Sequence, residues 1–139
     1  MKRFLRTVCF LMAAVMLFTT TAFAAESRSS NFFMKTSTYI TRSSTSKLDI
    51  WFDVTAVGMM DVLGVRTIKL QKSTDKTNWT TIKTYDKADY SVMTCANTTA
   101  HADCVTYYGS SNYYYRAYVE FYAKNSSGIG VYDRYTATV

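Results

Sequence analysis

Apolar and polar residues alternate with a period of two along much of residues 35–139, which predicts strands with one buried face. In the clearest run, Leu48, Ile50, Phe52 and Val54 alternate with mostly polar neighbours. Further strands are predicted at residues 68–71, 79–85, 90–94, 104–108, 113–124 and 131–139. Polar runs at residues 73–78 and 125–128 predict turns, with Trp79 following the first turn into the core. The pattern predicts an antiparallel β-sandwich.

The longest predicted strand, residues 113–124, has two different faces. Its odd positions, from Tyr113 to Ala123, are mostly apolar and are expected to face the core. Its even positions are expected to face solvent, and they are Tyr114, Arg116, Tyr118, Glu120, Tyr122 and Lys124. If the last strand pairs with this one as a hairpin, Tyr132 and Arg134 extend the tyrosine row.

The tyrosine row has two interpretations. Exposed aromatic rings beside cationic side chains can stack on sugar rings or on a partner's apolar groups, and their hydroxyls can form hydrogen bonds. Alternatively, cross-strand Tyr–Arg pairs stabilise a sheet by a few tenths to about 1 kcal/mol without any ligand. The candidate ligand-binding residues are Tyr114, Tyr118, Tyr122, Arg116, Tyr132 and Arg134.

The segment from Tyr113 to Gly130 resembles the penultimate strand of a fibronectin type III or immunoglobulin-like domain and the turn into its last strand. This resemblance implies a sandwich of about seven strands. A wider pattern resembles an uncharacterised family of small secreted proteins from clostridia-like Gram-positive bacteria, for which no activity is implied. That pattern is carried by residues 61–65, 68–71, 73–75, 79–81, 115–117 and 123–128.

The N-terminus has the pattern of a secretory signal peptide. Lys2, Arg3 and Arg6 precede an apolar run at residues 8–18, and small residues follow around Ala24. The alternative is an uncleaved anchor, but a spanning helix needs about 20 apolar residues. We expect cleavage between Ala24 and Ala25, a flexible lead-in at residues 25–34 and a domain at residues 35–139. The protein is then secreted, and it meets a membrane only transiently.

The charge balance argues against a nucleic-acid partner. The full chain carries 16 basic and 10 acidic residues for a net charge of +6, but three of the basic residues lie in the predicted signal peptide. The mature chain would carry about +3, with no dense basic stripe. With one histidine and five glycines, the chain shows no nucleophile–base arrangement and no phosphate-binding loop. We therefore expect a protein that is not an enzyme and needs no cofactor.

Two cysteines remain after cleavage, and an oxidising location favours their pairing. A Cys95–Cys104 disulfide would close a loop of about ten residues and contribute about 3 kcal/mol in the chain-entropy model. A metal site that includes His101 and Asp103 is the alternative, although zinc prefers cysteines that are two to four residues apart.

The sequence thus predicts a secreted binding or adhesion module whose partner is a glycan or a surface protein. Two alternatives come from other classes. One is a bacteriocin-like or inhibitory effector that acts through its loops, above all residues 96–103, and the other is a structural component of an extracellular matrix.

Overall fold

The computed structural model describes residues 31–139, in which strands predominate. The predicted signal peptide, its cleavage site and most of the lead-in lie outside the described residues. The only helix in the described range is a 3-10 turn of three residues, far too short to cross a bilayer. The strands are β1 (Phe33–Arg42), β2 (Lys47–Ser73), β3 (Thr80–Asp86), β4 (Thr94–Tyr108), β5 (Tyr114–Asn125) and β6 (Gly128–Tyr135). The predicted all-β fold is confirmed.

Strand β2 organises the sheet because it is 27 residues long and pairs with four other strands. Residues 47–56 pair with β1 on one edge and β4 on the other. Residues 62–73 pair with β5 on the first edge; on the second edge, the N-terminal end of β4 pairs with residues 60–64 and β3 pairs with residues 67–72. Strand β6 pairs outside β5, and every pairing is antiparallel. We call β1, β4 and residues 47–56 the first half-sheet, and β3, β5, β6 and residues 62–73 the second half-sheet.

The sheet curls so that the two half-sheets share one hydrophobic core. The hydroxyl of Tyr85 in β3 spans this core and donates to the backbone oxygen of Thr106 in β4, at 3.0 Å. The most buried side chains come from both half-sheets and include Leu48, Ile50, Phe52, Val54, Leu70, Ala117, Val119 and Phe121. The predicted inward faces of residues 48–54 and 115–123 are therefore confirmed.

The inward face of β2 changes phase at a bulge. Val65 and Ile68 are both fully buried although they are three residues apart. This is possible because the register against β5 shifts between Val65 and Thr67, which leaves Arg66 as the extra residue. The Arg66 side chain then forms an ion pair with Glu120 on the outer side of the second half-sheet.

The predicted Cys95–Cys104 disulfide is not formed, and both cysteines are free. The prediction failed because residues 96–103 are not a loop but the middle of strand β4. Nine steps along a fully extended strand span about 30 Å, whereas a disulfide needs the two Cα atoms within about 7 Å. The two cysteines also pair with residues 12 positions apart on β2, since Cys95 lies opposite Leu63 and Cys104 lies opposite Trp51. The alternative of an effector that acts through a loop at residues 96–103 therefore lacks the loop it requires, because these residues belong to β4.

The alternative metal site is also absent. Within residues 31–139, no three His, Cys, Asp or Glu side chains lie close enough together to hold a metal ion. The His101 Nε2 atom instead lies 2.8 Å from the backbone oxygen of Val92, and its ring packs against Phe52.

The first strand begins earlier than the predicted domain. Strand β1 starts at Phe33, and both Phe32 and Phe33 pack against the core. The strand count is six rather than about seven, because β2 and β4 each take the place of two predicted strands and β1 is an additional strand.

Candidate functional site

The turn at residues 73–78 is closed by its own side chains. The Ser73 hydroxyl donates to the Asp75 carboxylate at 2.8 Å. The same carboxylate accepts from the backbone N–H groups of Thr77 and Asn78, and from the Asn78 side-chain amide at 2.7 Å. These hydrogen bonds, those from Asn78 foremost, hold the pKa of Asp75 well below its usual value. The geometry of the turn is therefore fixed, and so is the direction in which the next residue leaves it.

The next residue, Trp79, lies outside the core, so its predicted core position is wrong. Its indole N–H donates to the backbone oxygen of Lys76 at 3.1 Å. The Arg116 guanidinium carbon lies 4.3 Å from the centroid of the Trp79 ring and 4.6 Å from that of Tyr135. Arg116 Nε also donates to the Gln71 side-chain oxygen at 2.8 Å. The guanidinium thus contacts two aromatic rings, and the neutral side-chain amide of Gln71 orients it.

Tyr118 completes this arrangement. It pairs directly with Tyr135 across β5 and β6, and the two rings meet edge to face with centroids 5.3 Å apart. On its other side it pairs with Lys69 of β2, whose ammonium lies 5.8 Å from the ring centroid. Burial raises the pKa of Tyr118, and the nearby charges of Asp133 and Glu120 act in the same direction. The phenol therefore stays protonated at neutral pH and can donate a hydrogen bond.

We call the four residues Trp79, Arg116, Tyr118 and Tyr135 the aromatic face. It lies on the outer side of the second half-sheet, because the neighbours of Tyr118 along β5 point into the core. Tyr135 is 52% exposed, and the other three residues are half-buried. The four residues come from three parts of the chain: Trp79 follows the turn, Arg116 and Tyr118 lie on β5, and Tyr135 lies on β6. The fold is therefore needed to bring them together.

The three tyrosines of the predicted row do share this outer side, but they are not equally accessible. Tyr114 is 40% exposed and Tyr118 is half-buried. Tyr122 is only 7% exposed, so its predicted exposure is wrong. The Lys87 ammonium lies 4.0 Å from the centroid of its ring. The row is therefore open at its Tyr114 end and covered at its Tyr122 end.

Tyr132 and Arg134 do not extend the row, contrary to the prediction. The strands do form the expected hairpin, but its register pairs Tyr132 with Phe121 and Arg134 with Val119. Directly paired residues share a face of the sheet, so both lie on the side of these buried residues. Arg134 donates instead to the backbone oxygen of Thr36 in β1, at 2.6 Å, and links the two half-sheets there.

The sequence held the signal that would have placed Tyr135 correctly. Asn125 pairs with Gly128 across the two-residue turn. Seven residues back along β5 from Asn125 and seven residues forward along β6 from Gly128, Tyr118 lies opposite Tyr135. Trp79 carried no comparable signal, since its position depends on the hydrogen bonds of the preceding turn.

A separate aromatic pair lies on the outer side of the first half-sheet. Tyr39 and Trp51 are directly paired across β1 and β2, with rings 6.1 Å apart and inclined by 14°. They are 49% and 38% exposed. The core separates this pair from the aromatic face, so the two cannot form one site.

An open cleft of about 450 Å³ lies where β2 passes between the half-sheets. Its lining includes Phe32, Val57, Met60, Asn125 and Ser127, with no charged side chain. The cleft therefore offers apolar and amide contacts but no acid–base group.

Comparison of the chain with protein-family models, with curated proteins and with solved structures finds no match.

Proposed function

We propose that this chain is a secreted, non-enzymatic binding module that attaches to a glycan or to a surface protein through the aromatic face. The observation that carries the proposal is the Arg116 guanidinium held against the rings of Trp79 and Tyr135 on the outside of the sheet. In a protein that needed these rings only for stability, we would expect them in the core, where they bury the most area.

The arrangement suits binding because hydrogen bonds already orient its side chains. Arg116 is held by Gln71, which in turn donates to the Thr81 hydroxyl at 3.3 Å. Trp79 is held by its hydrogen bond to the backbone of the turn. Side chains that are ordered before binding lose less conformational entropy when a ligand arrives. Flat rings with hydroxyl and guanidinium donors beside them suit a sugar ring, which has apolar C–H faces and polar edges.

The finer fold that we propose is a fibronectin type III-like sandwich. Its support is the pairing order, with three strands in the first half-sheet and four in the second when β2 is counted in both. Further support comes from Tyr115 at the start of β5, whose hydroxyl donates to the backbone oxygen of Ser110 at 2.9 Å. A tyrosine that bonds back to the chain just before this strand is typical of immunoglobulin-like sandwiches. Membership of the secreted clostridial family remains part of the proposal.

The test compares aromatic variants on opposite sides of the molecule. Tyr135→Ala and Tyr118→Ala are expected to abolish retention on glycan arrays and bacterial cell surfaces. Tyr39→Ala removes a ring of similar exposure from the first half-sheet, and we expect it to bind like the unchanged protein. Melting temperatures are measured in parallel, and that of Tyr135→Ala should stay within a few degrees because the ring is half-exposed.

Two results would refute the proposal. One is undiminished retention of Tyr135→Ala, which would show that the aromatic face does not contact the ligand. The other is equal loss of retention in Tyr135→Ala and Tyr39→Ala, which would show that the site lies elsewhere or that general stability is being measured.

A further inference from the structure

Each tyrosine of the outer row on β5 has a lysine ammonium over its ring. Lys76 lies 4.3 Å from the centroid of Tyr114, Lys69 lies 5.8 Å from that of Tyr118, and Lys87 lies 4.0 Å from that of Tyr122. We call these three lysines the lysine row. A cation at this distance from an aromatic face is attracted to it, so the rings hold the ammonium groups in defined positions along the strand.

Within the described residues, none of the three lysines forms an ion pair. Two of the carboxylates near them have other partners, and a third, Asp133, lies near Tyr118 without an ion pair within the described residues. Glu120 is paired with Arg66, and Asp75 is enclosed by hydrogen bonds of its own turn. Arg116 between them bonds a neutral amide rather than a carboxylate. The three lysines and Arg116 carry four positive charges here against the two of Asp75 and Asp133, while Arg66 and Glu120 offset each other, so the outer side of the second half-sheet keeps a net positive charge.

The spacing of this charge indicates the shape of the ligand. Successive tyrosines of the row are four residues apart on one strand, which is about 13 Å, so the row is about 26 Å long. A single small anion can reach one ammonium, whereas a linear chain with repeated anionic groups can reach all three while its sugar rings contact the aromatic face. We infer that the ligand is a linear polyanionic glycan that lies along β5. This inference rests on the proposed function and specifies its ligand class.

Carboxylate and phosphate groups would both satisfy the lysine row, so the test uses both. Binding of the mature protein is measured by calorimetry with decagalacturonate, digalacturonate, poly(N-acetylglucosamine 1-phosphate), neutral dextran and a single-stranded oligothymidylate. We expect decagalacturonate or poly(N-acetylglucosamine 1-phosphate) to bind at least tenfold more tightly than digalacturonate or dextran. The preferred polymer identifies the anion.

Two charge-matched double variants provide the control. Lys69→Gln with Lys76→Gln should weaken polyanion binding about tenfold, since two exposed charge contacts are lost. It should also reduce the dependence of binding on salt. Lys35→Gln with Lys47→Gln makes the same charge change on the first half-sheet and should alter binding less than twofold.

The inference and the proposed function can fail separately. If dextran binds as tightly as the polyanions and only Tyr135→Ala abolishes binding, the ligand is a neutral glycan and the inference is overturned, while the proposed function stands. If oligothymidylate binds as tightly as the glycans, the glycan assignment is overturned. If no polymer binds and Tyr135→Ala keeps full retention on cells, both fail.

Discussion

Replacing Tyr115 by phenylalanine removes one hydroxyl from the joint between β4 and β5. The Tyr115 ring is 2% exposed, and its hydroxyl donates to the Ser110 backbone oxygen at 2.9 Å. Burial is the main cause that raises the pKa of this phenol. The substitution keeps the ring and its contacts with Arg42 and Tyr107. It therefore isolates the hydrogen bond that supports the proposed sandwich fold.

The expected cost follows from the surroundings of the two partners. A neutral intramolecular hydrogen bond contributes about 1 kcal/mol net, and more when its loss leaves a buried group without a partner. Ser110 is exposed, so its carbonyl can turn to water once the hydroxyl is gone. We therefore expect Tyr115→Phe to lower the free energy of unfolding by about 1 kcal/mol, with a melting temperature lower by about 4 °C. Tyr115→Ala, which also empties the ring's volume, should cost about 4 kcal/mol.

The assay is urea unfolding followed by the fluorescence of Trp51 and Trp79, which lie in different half-sheets. The matched control is Tyr114→Phe at the neighbouring position, where the ring is 40% exposed and the change should be under about 0.5 kcal/mol. A Tyr115→Phe protein as stable as the unchanged one would refute the reasoning. So would a loss as large as that of Tyr115→Ala, because the hydroxyl could not account for it.

Three further predictions concern other parts of the sheet. Gly64 has a φ of 152°, and a Cβ at this position would collide with the backbone of Met93 and Thr94 at the start of β4. Gly64→Ala should therefore lower the free energy of unfolding by about 3 kcal/mol. Urea titration measures this, and an unchanged unfolding midpoint would contradict it. Hydrogen bonds, foremost from the Thr106 hydroxyl, lower the pKa of buried Asp49, so its stabilisation is present above pH 4 and lost as the pH falls through the folded value. Asp49→Asn should therefore cost about 2 kcal/mol at pH 7 and flatten the stability profile below about pH 4, and a cost that persists unchanged at pH 2 would argue against it. Alkylation without reductant, followed by mass spectrometry, should find two free thiols per mature chain. Cys95 should react before Cys104, because Cys95 is exposed and burial raises the pKa of the Cys104 thiol. An intrachain disulfide would contradict the continuity of β4.

The strands that the sequence predicted well are those whose burial alternates locally. Residues 48–54 and 115–123 have the core on one side and solvent on the other, so the period of two is visible in the sequence. Strand β1 was not predicted because Ile40 is its only buried residue, so the strand shows no alternation of buried and exposed positions. The middle of β4 is also a weakly buried stretch of small and polar residues, and its two cysteines suggested a closed loop.

The candidate site was harder to predict because it depends on register and on a turn. The pairing of Tyr118 with Tyr135 rather than Tyr132 follows only when the two-residue turn before Gly128 is used to count the register. The position of Trp79 depends on hydrogen bonds among four turn residues. Hydrophobicity alone predicts that a tryptophan lies in the core. Here the hydrogen bonds of the turn place Trp79 on the outer side of the sheet instead.

The continuity of β2 has a consequence for how the domain withstands pulling and heat. Two stacked sheets joined only by loops can slide past each other or open one at a time, whereas here β2 runs through both half-sheets and β4 pairs with it on both sides of the bend. Separating the two layers would require breaking the ladder on both edges of the same strand. We therefore expect amide protons on either side of the bend to exchange in one cooperative event, without an early-opening layer. For the proposed binding function, this continuity means that a load on the domain would not first unfold half of its structure.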